Sequence, residues 1–492
     1  MEQPGFDGVD DSCDGVDRYT GTNGRAFHAI FVDAGRNASN DGKSPQSPTP
    51  DLTAAIQTAR SASWCRSKSV DGKNIPCDVY VSKRTNTLGE TVLGNRQHVY
   101  GGFDSTKWSQ SSWTPGGASR TSKTTITLKA PSSGRLATFV GSSITEDGGL
   151  SGLEIEAADA TRDGQHSVGF WCDRCSALWL DNISFAAGKG GEGKDGSDAP
   201  YASKQYTGNW GTSCIDSTPS GYDSAFHSGF NPTGNSGVGG GQHKSYDKST
   251  GYYFFRAAGG SKGQDGDDGG YLMSRADGAG RGKISGSGGL SFVDEPADDG
   301  TFNDGGGGGG AEDLQNYPSN HIPGGSGGCP GHGGRKGASG GYSIGLALID
   351  SQGMHMNGVS VQADSAGNGG DGGVGGKGSP GTLGFSQLDP MTYREVSAGD
   401  GGDGAGGDGG GGGAGGHSIG CLLLDHTIGS GNFDKAKNCT ASTPGAAGKG
   451  GKGGSSPGRD GRDGGDGPKG LNCNSYSVPN FSSSHDFQSS CQ

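Results

Sequence analysis

The sequence predicts an all-β chain, built as a solenoid of short strands with one capping helix at its N-terminal end. Two observations carry this prediction. Apolar and β-branched residues come in bursts of a few positions, separated by Gly, Asn or Ser turns, and only one segment has a helical apolar period. A third observation sets the chain apart: 106 of its 492 residues are glycine and only 29% are hydrophobic. A conventional apolar core is therefore too small to offset the chain entropy of the whole molecule.

Composition and charge exclude several classes of protein. Glycine stays below one third and keeps no persistent Gly-X-Y frame, which excludes a collagen triple helix. The formal charge of -13 argues against a nucleic-acid-binding protein, which would carry a basic patch. No run of 18 apolar residues is present, so we expect no membrane span. Eleven cysteines indicate an oxidising compartment, and we expect an extracellular or cell-surface chain whose export signal is not visible here.

Residues 1–26 form an acidic leader around a single cysteine. Closely spaced carboxylates with glycines are the oxygen ligands that calcium prefers, and a solvated tail is the alternative interpretation. The candidate calcium ligands are Asp7, Asp10, Asp11, Asp14 and Asp17.

Residues 27–185 are predicted to hold the cap and the first turns of the solenoid. A short strand over 28–35 precedes the best helix candidate, 51–60. In that segment Leu52, Ala55, Ile56 and Ala59 form one apolar face, and Asp51 is placed to cap the helix. Further strand-like bursts follow, among them CDVYVS, HVYGGF, TTITLKA and RLATFVG.

Over 1–160 the sequence resembles a known group of proteins. The helix motif, VYV, HVYGGFDSTKWSQSSWTP and TTIT look like the opening of right-handed parallel β-helix proteins, the glycine-rich pectin-lyase-like proteins of myxobacteria and related bacteria. The leader GVDDSCDGVD is similar to an Asp-Cys-Asp-Gly motif that precedes the β-helix in that group. The resemblance implies a right-handed parallel β-helix and calcium binding by the leader.

Residues 186–470 are predicted to alternate strand bursts with glycine tracts. Three bursts align with one another, beginning at His166, Tyr342 and His417, and each reaches an aspartate: Asp173, Asp350 and Asp425. We interpret the unit as one turn of a β-helix whose return loop is replaced by a glycine excursion. The first residues of these bursts are expected to stack as structural side chains.

Within tracts such as GGDGGVGGKG the non-glycine residue falls at every third position. A three-residue left-handed helix places that residue on one edge and leaves two bare edges, along which neighbouring backbones can approach. The sequence therefore predicts polyglycine-II-like excursions with outward-facing Asp and Lys, an arrangement that resembles springtail antifreeze proteins and some phage tail-fibre tips. Flexible loops are the alternative.

Cysteine spacing suggests local pairs. The candidate disulfides are Cys65–Cys77, Cys421–Cys439 and Cys473–Cys491. The last of them would staple residues 471–492, which we expect to be a C-terminal cap or a docking tail.

The sequence contains no complete catalytic motif. Asp267-Asp268 and Gly331-His332-Gly333 occur in the order used by polygalacturonases, but the remaining elements are missing and both fragments lie in glycine-rich sequence. No serine-hydrolase elbow or phosphate-binding loop is credible. Tryptophans such as Trp171 and Trp179 are open to two interpretations, a sugar-stacking platform or plugs between turns of the solenoid.

We therefore expect a secreted or cell-surface structural and adhesive protein that self-associates into a fibre or surface layer, with cell-surface polysaccharide as a further candidate partner. The alternatives are a carbohydrate-active β-helix enzyme (a polysaccharide lyase or hydrolase) or carbohydrate-binding module, and an ice-binding protein.

Overall fold

The computed structural model confirms an all-β chain with very few helices, in which most strands lie in parallel sheets. It describes residues 29–44, 47–61, 78–103, 123–131, 137–146, 148–199, 328–388, 402–426 and 428–479, together with short stretches elsewhere, mostly strands. The predicted acidic leader, Cys65–Cys77 and Asp267-Asp268 lie outside the described residues.

Three parallel sheets form the body of the molecule. In order along each sheet, the first contains Ala29–Val32, Asp78–Ser82, His98–Phe103, Gly148–Ser151, Leu178–Asp181, Met354–Asn357 and Ile428–Gly431. The second contains Asn86–Leu88, Thr124–Leu128, Leu153–Glu156, Ser184–Ala186, Ser360–Gln362 and Cys439–Thr440. The third contains Thr91–Leu93, Phe139–Ser142, Ser167–Asp173, Ser343–Ile349, Ser418–Leu424 and Asn472–Val478.

From Asp78–Ser82 onward the chain visits the three sheets in a fixed cyclic order, first, second and third, and we call one such passage a rung. Each strand pairs in parallel with its counterparts in the rungs before and after it, as Ser167–Asp173 pairs with both Phe139–Ser142 and Ser343–Ile349. Because a parallel partner must be reached by a crossover, this repeated order is compatible with a parallel β-helix.

Corners between sheets depend on single residues with left-handed backbone. At the corner from the third sheet to the first, φ is 53°, 54°, 43° and 44° at Ser143, Arg174, Asp350 and Asp425. The aligned bursts pair in the predicted register, Ser167 with Ser343 and Ser343 with Ser418, but Asp173 pairs with Ile349 and is therefore not the counterpart of Asp350. Arg174 is the true counterpart, and its N–H bonds the carbonyl of Ile349 at 2.8 Å.

A continuous apolar core fills the space between the sheets. Alternate strand positions point inward, so that Ile126, Ile155, Phe185 and Val361 are buried in successive strands of the second sheet. The helix Leu52–Ser61 packs onto the same core through its predicted face, Leu52, Ala55, Ile56 and Ala59. Asp51 caps it by accepting the Ala54 N–H at 3.0 Å. The sequence prediction of this helix is confirmed.

The remaining elements are short. They are the helix Lys435–Asn438 and the antiparallel strands Ser67–Lys68 with Asn74–Ile75, Ala202–Thr207 with Gly211–Asp216, His243–Tyr246 with Tyr253–Arg256, Glu312–Asp313 with His321–Ile322, Ser386–Leu388 with Glu395–Ser397, and Lys283–Ser285 with both Ser291–Val293 and Ser484–Asp486. The pairing of Ser484–Asp486 folds the C-terminal stretch back, and Phe487 is buried beside Tyr476. None of the helices in the described part of the chain has the length and apolar character needed to cross a membrane.

Disulfides tie parts of the rungs together. Cys421–Cys439 and Cys473–Cys491 are formed, which confirms two of the predicted pairs. A third, Cys172–Cys175, spans one corner and was not predicted from the sequence. Cys421 and Cys439 lie in different sheets of the last rungs, so their bond joins the second sheet to the third.

Truncating the buried face of the helix should destabilise the fold. Ile56 is 1% exposed, so Ile56→Ala leaves a cavity and should lower the free energy of unfolding by about 2–5 kcal/mol. Its neighbour Gln57 is exposed, and Gln57→Ala is the matched control. Denaturant unfolding followed by circular dichroism measures both, and equal stability of the two variants would show that the helix does not pack on the first rungs.

Candidate functional site

The most distinctive surface of the molecule is built by the glycine excursions. In three successive rungs the chain leaves the second sheet, runs outward, and returns to the third sheet. All excursions therefore start from the same corner of the fold. We number the extended segments in chain order. Tracts 1 to 6 are 187–199, 328–341, 363–379, 402–416, 443–455 and 459–470. Tracts 1, 3 and 5 run outward, and tracts 2, 4 and 6 return.

The outward tracts lie side by side and run in the same direction. Gly190, Gly193 and Gly196 of tract 1 donate their N–H groups to the carbonyls of residues 365, 368 and 371 in tract 3, at 2.7–2.9 Å. Tract 3 bonds tract 5 in the same manner through residues 369, 372 and 375. The bonds repeat every third residue on both partners, as the three-residue spacing in the sequence predicts.

Outward and returning tracts also bond one another, in opposite directions. Gly367, Gly370 and Gly373 of tract 3 donate to the carbonyls of residues 341, 338 and 335 in tract 2. In the same way tract 4 donates to tract 3, tract 5 to tract 4, and tract 6 to tract 5. The tracts therefore form two layers, with tracts 1, 3 and 5 in one and tracts 2, 4 and 6 in the other. The expectation that the tracts are ordered against one another is confirmed for these residues.

Close approach of the backbones requires glycine at the bonded positions. A methyl group on Gly373 would overlap the carbonyl oxygen of Ser197 in tract 1, and one on Gly410 would overlap that of Arg335 in tract 2. Residue 374, one position along, carries a valine whose side chain is 41% exposed. The bonded positions therefore exclude a side chain, whereas the next position along tract 3 accommodates one on an exposed edge.

The outward-facing polar side chains accept hydrogen bonds from the backbone of the next tract. Those of tract 1 accept the N–H of the corresponding residue in tract 3: Asp195 Oδ1 accepts from Asp371 and Asp198 Oδ1 accepts from Val374, both at 2.8 Å. Asp371 Oδ1 in turn accepts the Lys449 N–H of tract 5 at 2.7 Å. Carboxylates on this edge therefore satisfy backbone N–H groups that no carbonyl reaches.

The exposed edge of tract 5, the last outward tract, is covered by side chains of tract 6. Among the described residues no further outward tract lies beside tract 5, and aspartates of tract 6 accept its exposed N–H groups instead. Asp466 Oδ1 accepts from Gly450, Asp463 Oδ1 from Gly453 and Asp460 Oδ1 from Ser456, at 2.8–2.9 Å. Side chains thus blunt this edge as charged residues blunt the edge strand of a sheet.

The residues that begin the aligned bursts stack where the tracts join the sheets. The Tyr342 ring lies 4.6 Å from both the His166 and His417 rings, which confirms the predicted stack. His166 Nδ1 accepts the Tyr342 N–H, and His417 Nδ1 accepts the Leu471 N–H, both at 3.0 Å. A nitrogen that accepts carries no proton, so these bonds fix both rings as neutral. Burial lowers the pKa of His166 to about 4.

The second excursion, formed by tracts 3 and 4, carries an exposed apolar tip at its outer end. The last bond between tracts 3 and 5 is donated by Gly378, so residues 381–388 project beyond the end of tract 5. Leu383, Phe385 and Leu388 are 79%, 66% and 62% exposed. Asp403 and Asp400 hold the base of the tip by accepting the N–H groups of residues 381 and 384.

The predicted site residues are distributed as follows. Asp7, Asp10, Asp11, Asp14 and Asp17 lie outside the described residues. His332 is buried in tract 2, where its carbonyl accepts the Gly376 N–H. Trp171 and Trp179 belong to separate clusters and do not form one platform. Among the described residues, no three His, Cys, Asp or Glu side chains converge as metal ligands would.

Comparisons with known proteins do not add a relative. Neither the models of known families, nor the curated proteins, nor the solved structures give a match to this chain.

Adding a methyl group at the bonded edge of a tract should destabilise the protein, whereas shortening a side chain on the outward edge should not. Gly373→Ala places a Cβ against Ser197 and should destabilise the bundle by about 1–3 kcal/mol. The adjacent Val374→Ala should change stability by less than about 0.5 kcal/mol, because that side chain faces solvent. Thermal unfolding of both variants checks this, and similar melting temperatures would contradict the bonded geometry of tract 3.

Acid should destabilise the fold between pH 6.5 and about 4. Burial lowers the pKa of His166 from 6.5 to about 4, so in this window the unfolded chain binds a proton that the folded chain does not. Stability is therefore complete above pH 6.5 and falls as the pH drops, by at most about 1.4 kcal/mol per pH unit for this ring. His166→Asn keeps an acceptor for the Tyr342 N–H without titrating. Urea unfolding at pH 7, 6, 5 and 4.5 should show a shallower slope in the variant, and an identical slope would exclude His166 as its source.

Proposed function

We propose that the chain is a secreted or cell-surface structural and adhesive protein that associates with further copies of itself into a fibre or surface layer. The proposal includes a finer description of the fold, a right-handed parallel β-helix that is capped by Leu52–Ser61 and carries tracts 1 to 6 as polyglycine-II-like helices. The single observation that carries it is the hydrogen-bonded bundle with its projecting apolar tip. A rigid spacer that ends in exposed apolar side chains is suited to making contacts at a distance from the body of the protein.

Several features support this proposal. The bundle offers no cleft for a small substrate between its tracts, because neighbouring backbones are in direct hydrogen-bonded contact. The tip exposes three large apolar side chains within six residues of sequence, and exposed apolar surface of this kind marks contact sites on soluble proteins. Disulfides such as Cys421–Cys439 fit an oxidising extracellular compartment. Calcium binding by the acidic leader and contact with cell-surface polysaccharide are further parts of the proposal.

No specific observation on the described residues favours the alternative, a glycosidase. A hydrolase needs two carboxylates at a defined separation across the scissile bond. Of the motif-like fragments, Asp267-Asp268 lies outside the described residues, and His332 is enclosed by the backbone contacts of tract 2. We therefore place the structural and adhesive role, which we call the contact function, ahead of an enzymatic one.

Self-association should depend on the apolar tip. In sedimentation and negative-stain electron microscopy the protein should form oligomers or filaments, and replacing Leu383 and Phe385 together by Ser should weaken association at least tenfold. The exposed Val374 lies on the side of tract 3, so Val374→Ser is the matched control and should associate normally. A chain that stays monomeric at high concentration with calcium present would overturn the proposal. Normal association of the double variant would exclude the tip as the contact.

A further inference from the structure

The outer face of the second sheet carries a row of polar side chains that the contact function does not use. Thr125, Glu154, Ser184 and Ser360 lie directly beside one another in four successive strands. Their sequence neighbours on these strands are buried in the core, so the four side chains share the outer face. The row is therefore a continuous polar strip across four rungs.

Two donors converge on the hydroxyl of Ser184. Lys123, which immediately precedes the strand Thr124–Leu128, extends along the face and places Nζ 2.5 Å from Ser184 Oγ. The Ser360 hydroxyl donates to the same oxygen at 2.9 Å. Thr125 donates to Glu154 Oε2 at 3.3 Å and holds that carboxylate. A serine, a second serine and a lysine thus form one connected group.

The environment of Lys123 suits a base. Partial burial lowers the pKa of Lys123 below its ordinary value, and the charge of Glu154 opposes this in part. A lysine with a lowered pKa is neutral in a larger fraction of molecules and can then accept a proton. A serine hydroxyl is a weak nucleophile on its own, and an adjacent base within hydrogen-bond reach is what activates it.

We propose that Ser184 is a nucleophile, that Lys123 is its general base, and that the pair cleaves acyl esters that reach this face from solvent. This activity goes beyond the proposed contact function. Ser360 is a positioning residue that holds the Ser184 oxygen by its hydrogen bond. The carboxylate of Glu154 beside Ser184 disfavours an anionic substrate, so the substrate class is an uncharged ester such as an O-acetyl group.

The reaction balances with the groups present. With Lys123 as the neutral amine, whose lone pair accepts the hydrogen bond from Ser184, Ser184 Oγ forms a bond to the carbonyl carbon of the ester while its proton passes to Lys123 Nζ. The bond between that carbon and the alcohol oxygen then breaks, and the leaving alkoxide takes the proton from Lys123. Water, deprotonated by the same amine, attacks the acyl-serine, and the acid leaves as Ser184 regains its proton. No oxidant, metal or cofactor enters these steps.

The test uses the full chain with p-nitrophenyl acetate and with a fluorophosphonate that traps activated serines. We expect ester turnover, a phosphonate adduct on the peptide containing Ser184, and a loss of about 100-fold or more in both reactions for Ser184→Ala and Lys123→Met. Gln362→Ala, on the same outer face but outside the group, is the control and should react as the parent does. The parent rate should rise with pH with a midpoint below 10.5, the ordinary value for lysine.

Melting curves accompany each variant, and Lys123→Arg replaces Lys123→Met if the latter does not fold, since arginine keeps a cationic donor but cannot accept the proton. A missing adduct at Ser184, or variants that react as Gln362→Ala does, would overturn the proposal. Neither readout depends on oligomeric state, so failure here is distinct from failure of the contact function.

Discussion

The structure depends on one constraint, which is that every backbone N–H and C=O removed from water needs a partner. Glycine accounts for 106 of the 492 residues, and it brings no apolar side chain that could compensate for a lost hydrogen bond. In the tracts the partners come from other tracts at every third residue. Where no carbonyl is in reach, side chains such as Asp371 and Asp463 supply the acceptor. Glycine permits neighbouring backbones to approach closely, and aspartate carboxylates accept the N–H groups that no carbonyl reaches.

The same constraint joins the bundle to the sheets. Ala186 pairs with Gln362 in the second sheet, and the next residue, Ala187, donates to the Gln362 carbonyl as the first bond of the bundle. From there the bonds between tracts 1 and 3 continue at 190, 193 and 196 without a break. Neighbouring strands fix the spacing of neighbouring tracts at about 4.8 Å, a separation at which backbones can bond directly. The rungs thus act as the template that sets register in the bundle.

Much of this arrangement could be predicted from the sequence, because it follows from short-range patterns. The helical period of the apolar residues in 52–59 predicted the helix. The three-residue spacing of the non-glycine residues predicted the ordered tracts. Two cysteine pairs that close 18-residue intervals were also found.

The missed features depend on contacts between distant residues. The left-handed corner at Arg174 could not be predicted, since nothing in the residue type requires that backbone. The interval of 176 residues that separates His166 from Tyr342 also separates Asp195 from Asp371, and this shared interval was the signal that could have revealed the capping carboxylates. Ser184 and Lys123 are 61 residues apart with no motif between them, so only the folded rungs bring them together.

The bundle cannot be an independent folding unit. Each of its hydrogen bonds contributes a net stabilisation of about 1 kcal/mol, whereas fixing the backbone of one residue costs about 1–2 kcal/mol, and glycine is at the costly end of that range. The tracts add little apolar burial of their own, apart from small clusters such as the one that Ala414 of tract 4 forms with Ala279 and Ala297. Anchoring both ends of an excursion to rungs already in register removes much of the entropy that an isolated tract would lose. The apolar core at Leu346, Leu348 and Met356 therefore stabilises the tracts at a distance, because it holds in place the strands from which they extend.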